Sequence, residues 1–234
     1  MKTLFVRKSF IISLSILIAA AIALGTLAGF VSESQSALNP DMPTIVVDAG
    51  HGGIDNGVTG VITGNDEADI NLAISRYLKG QFTSAGFNCV MTRTTQSGLY
   101  GNTSSGFKKR DMEARKKVIT DCDADMVISV HQNFCPLPSR RGGTVFFDKS
   151  SASSASLAAS IQNELNSMDE CGSKNSALFG DYYMLKCTDS PSVIVECGFM
   201  SNTEDDKLLA DEEFQRAIAY AIFKGAVGYL SGLK

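Results

Sequence analysis

Apolar residues fall into two alternating rhythms after residue 43. Runs at Thr44–Asp48, Met126–Val130 and Ser192–Glu196 are nearly all apolar, the pattern of central strands covered on both faces. Phe87–Thr92, Gly143–Phe147 and Tyr182–Lys186 are more mixed but still strand-like. Between these runs the spacing lengthens. Ile70, Ile74, Leu78 and Phe82 recur every four residues, which places one apolar stripe along a helix. Lys108–Cys122 predicts a charged surface helix, and Ala155–Met168 carries Leu157, Ile161 and Leu165. Phe214, Ile218, Ile222 and Leu230 mark a C-terminal helix. This alternation predicts an α/β fold: a single three-layer α/β/α domain with a mixed, mostly parallel sheet of about six strands. The sequence shows no repeat and no second domain.

Ahead of that domain, Ser9–Val31 is uncharged and apolar, and Lys2, Arg7 and Lys8 precede it. Spanning a bilayer takes about 20 apolar residues, and basic residues on the N-terminal flank keep that end in the cytoplasm. Residues 1–31 are therefore expected to be a signal peptide or a transmembrane anchor, with the bulk of the chain exported. A cleaved signal has an apolar core of about 7–15 residues, so the length here favours an anchor. Small-residue sites at Thr26-Leu-Ala28 and Ser34-Gln-Ser36 leave cleavage open. Residues 32–42, rich in Ser, Asn and Pro, read as a linker, and 43–234 as the folded domain.

Charge and cysteine usage narrow the function classes. The chain carries a net charge of −4, and removing Lys2, Arg7, Lys8 and Glu33 leaves the domain more acidic still. Without a basic cluster it has no footing for nucleic acid. The six cysteines, at 89, 122, 135, 171, 187 and 197, form no CxxC pair and no zinc-finger spacing. Cys89, Cys187 and Cys197 fall in strand-like runs, where a free thiol acts as a small buried apolar residue. Reduced, structural cysteines are the reading, although export would permit pairing.

The chemistry concentrates in a few polar residues. The chain has two histidines, His51 and His131, and each directly follows an apolar run. Glu196 closes a third run, Pro191-Ser-Val-Ile-Val-Glu-Cys-Gly-Phe199. Open α/β sheets bind ligands beyond the carboxyl ends of their strands, and neutral imidazole is the commonest metal ligand. A lone histidine is more often a core residue than a ligand, and a structural salt bridge is the alternative for Glu196; their joint placement at strand ends argues for a metal site. Glu67, which starts a helix with Asn65 or Asp66 as N-cap, is the candidate third ligand, although the helix dipole alone favours an acid there. Asn71 lies four residues on and can hydrogen-bond the Glu67 carboxylate, the outer contact that orients a metal ligand. Two imidazoles and a carboxylate form a catalytic zinc set; the non-haem iron set is similar, but nothing here suggests oxygen chemistry. Gly50-His-Gly-Gly53 lacks the lysine and spacing of a phosphate loop.

Four motifs together resemble the zinc-dependent N-acetylmuramoyl-L-alanine amidases of the amidase-3 family. They are Val47-Asp-Ala-Gly-His-Gly-Gly53, Glu67 with Asn71-Leu72, Ser129-Val-His-Gln-Asn133, and Val195-Glu-Cys-Gly-Phe-Met-Ser-Asn202. The resemblance spans nearly all of residues 43–230. It implies Zn2+ held by His51, Glu67 and His131, with Glu196 as the catalytic carboxylate. It also implies cleavage of peptidoglycan between the lactyl group of muramic acid and the first alanine of the stem peptide. The short chain and its apolar leader are similar to the germination-specific spore-cortex subtype, which prepares muramic-δ-lactam formation. Some family members work with activator or metal-loading proteins, so a protein partner is expected, without an identity. Phe134 and Cys197 depart from the family's usual alanine and apolar residue; Phe134 is expected to narrow the cleft and Cys197 to face away from Glu196. Arg93 and Arg110 are read as solvated surface residues, with binding of stem-peptide carboxylates as the alternative. Two rival functions stay open: a zinc peptidase or carboxypeptidase acting on cell-wall peptides, and a non-catalytic wall-binding protein.

Overall fold

The computed structural model describes residues 39–232. The expected signal or anchor segment over 1–31 lies outside them, as does most of the linker. Among the described residues, no helix is long and apolar enough to cross a membrane.

The chain runs β1 (Thr44–Ala49), α1 (Glu67–Ser84), β2 (Asn88–Met91), α2 (Phe107–Asp121), β3 (Met126–Asn133), β4 (Thr144–Phe147), α3 (Ala152–Leu165), β5 (Leu178–Phe179), β6 (Ser192–Phe199), α4 (Thr203–Ala210) and α5 (Glu212–Ser231). Six strands form one sheet in the order β2-β1-β3-β6-β4-β5. All neighbours pair in parallel except β4, which runs antiparallel to β6. The three runs that are nearly all apolar are thus β1, β3 and β6, adjacent and central. Alternate residues feed two cores. Ile45, Val47, Ile128 and Val195 pack with α1, α3 and α5 on one face. Val46, Val127 and Ile194 meet Ile119 of α2 on the other, together with Met184 and Leu185.

One expected strand is absent. Tyr182–Lys186 contributes a single 3-10 turn, Tyr183–Lys186, closed by Leu185 N–H donating to Tyr182 O. Here Tyr182 and Tyr183 are both exposed while Met184 and Leu185 are both buried. A strand points neighbours to opposite faces, so it would alternate exposure here and not expose one adjacent pair and bury the next. The sixth strand is instead β5, two exposed residues paired beside β4. At two residues, Leu178 and Phe179, it is too short to register as a strand in the sequence.

Candidate active site

Each candidate residue stands where an element ends. Chain reversal after β1 puts His51 at φ 59°, a left-handed conformation uncommon outside glycine. Glu67 opens α1; its N-cap is Asp66, which makes no side-chain capping bond. His131 lies near the end of β3, and Glu196 is its register partner on β6. The two lie on the same side of the sheet as Asp48 and Ser129, at the C-terminal end of the parallel strands.

Glu67 is the convergence point. His51 Nε2 lies 3.2 Å and His131 Nδ1 3.0 Å from the same oxygen, Oε1. The donor atoms of all three residues lie within 4.8 Å of one another. Ligands bonded at about 2.0–2.2 Å around a tetrahedral zinc are separated by about 3.3 Å, so the spacing suits a shared ion. The Glu67 carboxylate is then held by neighbours that donate to it. The backbone N–H of Gln132 and the Asn71 side chain reach Oε1, at 3.1 and 3.2 Å, and Val58 N–H reaches Oε2 at 3.0 Å. Burial works against its ionisation, but hydrogen bonds and charge from His131 and His51 hold its pKa far below the usual carboxylate range. The predicted Asn71 contact is therefore present, and Asn71 also donates to Gly50 O. Gln132 Nε2 donates in turn to Asn71 Oδ1.

Outer contacts fix the imidazoles. His51 Nδ1 faces Asp55 Oδ2 at 3.2 Å, a carboxylate–histidine pairing that leaves Nε2 free to ligate. Asp55 is itself paired with Lys108. Against the cost of burial, the charge and hydrogen bond of His51 and the contact with Lys108 lower the Asp55 pKa. His131 packs so closely on Gly50 that a Cβ there would fall 2.3 Å from its ring. Its pKa is raised because Glu67 and Glu196 outweigh the burial that opposes its charge.

Beneath the site lies a buried ion network. Arg115 is 1% exposed; it donates to Asp48 at 2.7 Å, to Asp111 at 2.6 Å, and to the carbonyls of Ala49 and His51. Burial alone would raise the Asp48 pKa, but Arg115 and the hydroxyls of Ser129 and Thr92 bring it down to about 2. Arg93 belongs to the same layer. The surface reading of this residue is wrong: Arg93 is 3% exposed and donates to Ala49 O, Gly50 O and Ala68 O. It joins the carbonyl ends of the loop after β1 to α1, and burial lowers its pKa to about 10. Arg110 instead staples the loop before α2, donating to Tyr100 O, Asn102 O and Ser105 O.

Glu196 sits beside these residues in a cavity of about 360 Å³, walled by Tyr100, Phe107, Met112, Tyr182, Tyr183 and Met184. Its Oε2 is buried with no hydrogen-bond partner. Burial raises its pKa to about 7; the charge of Glu67 adds to this, and His131 and His51 counter it. Cys197, the next residue, packs in the opposite core, as alternation requires. Phe134 is 52% exposed and lies outside the cavity wall, so it does not narrow the cleft. All six cysteines are free. Sequence reasoning passed over Asp55, Gln132, Asp48 and Arg115. The i,i+4 step from His51 to Asp55, and the 111-115-119 line on α2, were the available signals.

The amidase-3 family profile, described as N-acetylmuramoyl-L-alanine amidase, matches residues 45–227. The chain belongs to this family. Among curated relatives, the germination-specific N-acetylmuramoyl-L-alanine amidase of Bacillus subtilis is 28% identical over 190 residues, 80% of this chain and 79% of that one. Among solved structures, the CwlD amidase from Clostridioides difficile, in complex with the GerS lipoprotein, is 37% identical. It superposes with a TM-score of 0.77 over 81% of this chain and 99% of its own. The amidase AmiC2 of Nostoc punctiforme is 27% identical, with a TM-score of 0.69 over 81% and 97% of the two chains. This amidase-3 enzyme hydrolyses the amide between the lactyl group of N-acetylmuramic acid and L-alanine of the stem peptide. Its peptidoglycan substrate puts its work outside the cytoplasm.

Proposed function

We propose that the amidase is zinc-dependent, that His51, Glu67 and His131 hold the ion, and that Glu196 moves the protons. The observation carrying this reading is the pair of imidazole nitrogens directed at one oxygen of the buried Glu67. Bound there, zinc supplies Lewis acidity, which polarises the lactyl carbonyl and acidifies water. The protein residues do the rest. Asp55 fixes the ring of His51, and Asn71, Gln132 and Val58 fix the Glu67 carboxylate. Glu196 takes a proton from the attacking water and returns it to the alanine nitrogen as the C–N bond breaks.

The same reading extends to setting. Likeness to a germination-specific amidase supports action on spore cortex, preparing muramic-δ-lactam formation. Residues 1–31 are proposed to anchor the enzyme at the membrane, with 32–42 as linker and 43–234 as the catalytic domain. The complex of the CwlD amidase with a lipoprotein supports a protein partner for this chain too.

Digestion of purified peptidoglycan, followed by mass spectrometry, tests the proposal. Intact stem peptides with a free alanine amine, and muramic acid stripped of peptide, are expected only from enzyme carrying one zinc per chain. Peptides shortened within the stem would indicate a peptidase, and an unaltered wall a binding protein. Full activity after complete zinc removal would overturn the metal assignment.

A further inference from the structure

Across the sheet from Glu196 stands a residue with the same deficiency. Antiparallel pairing of β4 with β6 places Thr144 directly opposite Glu196. Residues directly opposite share a face, with Cβ atoms about 4.5–5.5 Å apart. His131, Glu196 and Thr144 therefore form a row across three adjacent strands. Thr144 is 2% exposed, and its Oγ1 is buried without a hydrogen-bond partner. Oε2 of Glu196 is likewise buried and unpartnered. Buried polar atoms are seldom left unpaired in native proteins, and two such atoms on one cross-strand pair call for a joint explanation.

Their chemistry is complementary. A threonine hydroxyl brings one donor, whereas an ionised carboxylate only accepts. On the β4 side of Glu196 the flanking positions offer no other donor: Phe146 and Ile194 form the next pair, and Gly142 and Gly198 lie beyond Thr144 and Glu196. The threonine can reorient its hydroxyl on this face by rotating between its staggered wells.

We propose that Thr144 is a positioning residue for Glu196, donating a hydrogen bond to its buried oxygen and so holding the other oxygen toward the cleft. The inference rests on the reading of Glu196 as the proton carrier. A base that must receive a proton from one direction and deliver it in another gains from having its inner oxygen pinned. Thr144 does not line the cavity, so it acts through Glu196 and leaves substrate binding alone.

Thr144→Val keeps the shape and removes the donor. The loss of a hydrogen bond to a charged group lowers kcat by about ten- to a hundredfold. KM should stay within about twofold, because uniform substrate binding is untouched. Zinc content should equal that of the wild type. Thr144→Ser should recover most of the lost kcat. A valine variant with wild-type kcat overturns the proposal. So does a loss that tracks bound zinc or melting temperature and is not restored by serine. Glu196→Gln run in parallel separates the two readings. If it is inactive while Thr144→Val is fully active, only the positioning role fails; if it works at the wild-type rate, the role of Glu196 itself fails.

Discussion

His131 and Glu196 are register partners across the parallel β3–β6 pair, so they leave one face of the sheet a single strand spacing apart. The pairing divides the labour. His131 also reaches Glu67 Oε1, whereas Glu196 lines the cavity. Glu196→Gln should therefore bind one zinc per chain yet release stem peptides at least a hundredfold more slowly, in line with the roughly 10²–10⁴-fold contribution of acid–base catalysis. His131→Ala should lose both metal and activity. Metal analysis beside muropeptide release checks both, and a Glu196→Gln enzyme at the wild-type rate removes the assignment.

The raised pKa of Glu196 also predicts a stability effect in metal-free protein. Unfolded, the carboxyl ionises near its ordinary value of 4.5; folded, it does so at about 7. Between those values the folded state keeps a proton the unfolded state has released, so stability falls as pH rises through the window. The full effect is on the order of 3 kcal/mol. Urea unfolding in chelator should find Glu196→Gln more stable than the wild type at pH 8 by up to about that amount, and nearly equal to it at pH 4. A difference independent of pH would mean that folding does not hold this carboxyl protonated.

Much of this was legible because it follows from position along the chain. The apolar runs of β1, β3 and β6 and the four-residue spacing of Ile70, Ile74, Leu78 and Phe82 report burial directly. His51, Glu67, His131 and Glu196 stand at element ends, and element ends are where a sheet of this kind gathers its chemistry. What stayed hidden depends on contacts between distant segments. Arg93 looks like an ordinary charged residue until three carbonyls from the β1 loop and α1 surround it. Tyr182–Lys186 has strand composition, and only packing against the second core selects the 3-10 turn. Thr144 carries no signal at all until β4 is paired with β6.

Arg115 is the largest fully buried side chain among the described residues, and it ties Asp48 and Asp111 to the carbonyl of His51. Arg115→Met preserves most of the packing but leaves Asp48 charged and unpaired in the interior. Breaking such a pair from one side typically costs about 3–5 kcal/mol. Denaturant unfolding at pH 7 should show a loss of that order. Zinc affinity should fall as well, because His51 holds a left-handed backbone conformation that Arg115 helps to fix. Asp48→Asn in the Arg115→Met background should recover part of the stability by removing the stranded charge. Arg115→Met as stable as the wild type would show that the network is dispensable.

Gly50 carries the sharpest steric prediction. An added Cβ would lie 2.3 Å from both Cε1 and Nε2 of His131, a distance that no real Cβ contact sustains. The alanine side chain cannot move away, so the imidazole must, and it would leave the position facing Glu67 Oε1. Gly50→Ala should therefore weaken zinc binding by at least about tenfold, the scale at which even an outer contact of a metal ligand acts, while the fold persists. Gly80→Ala is the matched control. Gly80 lies within α1 with nothing near its added Cβ, and replacing a helical glycine by alanine stabilises by roughly 0.5–1 kcal/mol. Competition against a chromogenic chelator and thermal melting would read the two variants side by side. Wild-type zinc affinity in Gly50→Ala would mean that the ring of His131 is free to shift without loss, and that the close packing on Gly50 does not set the metal site.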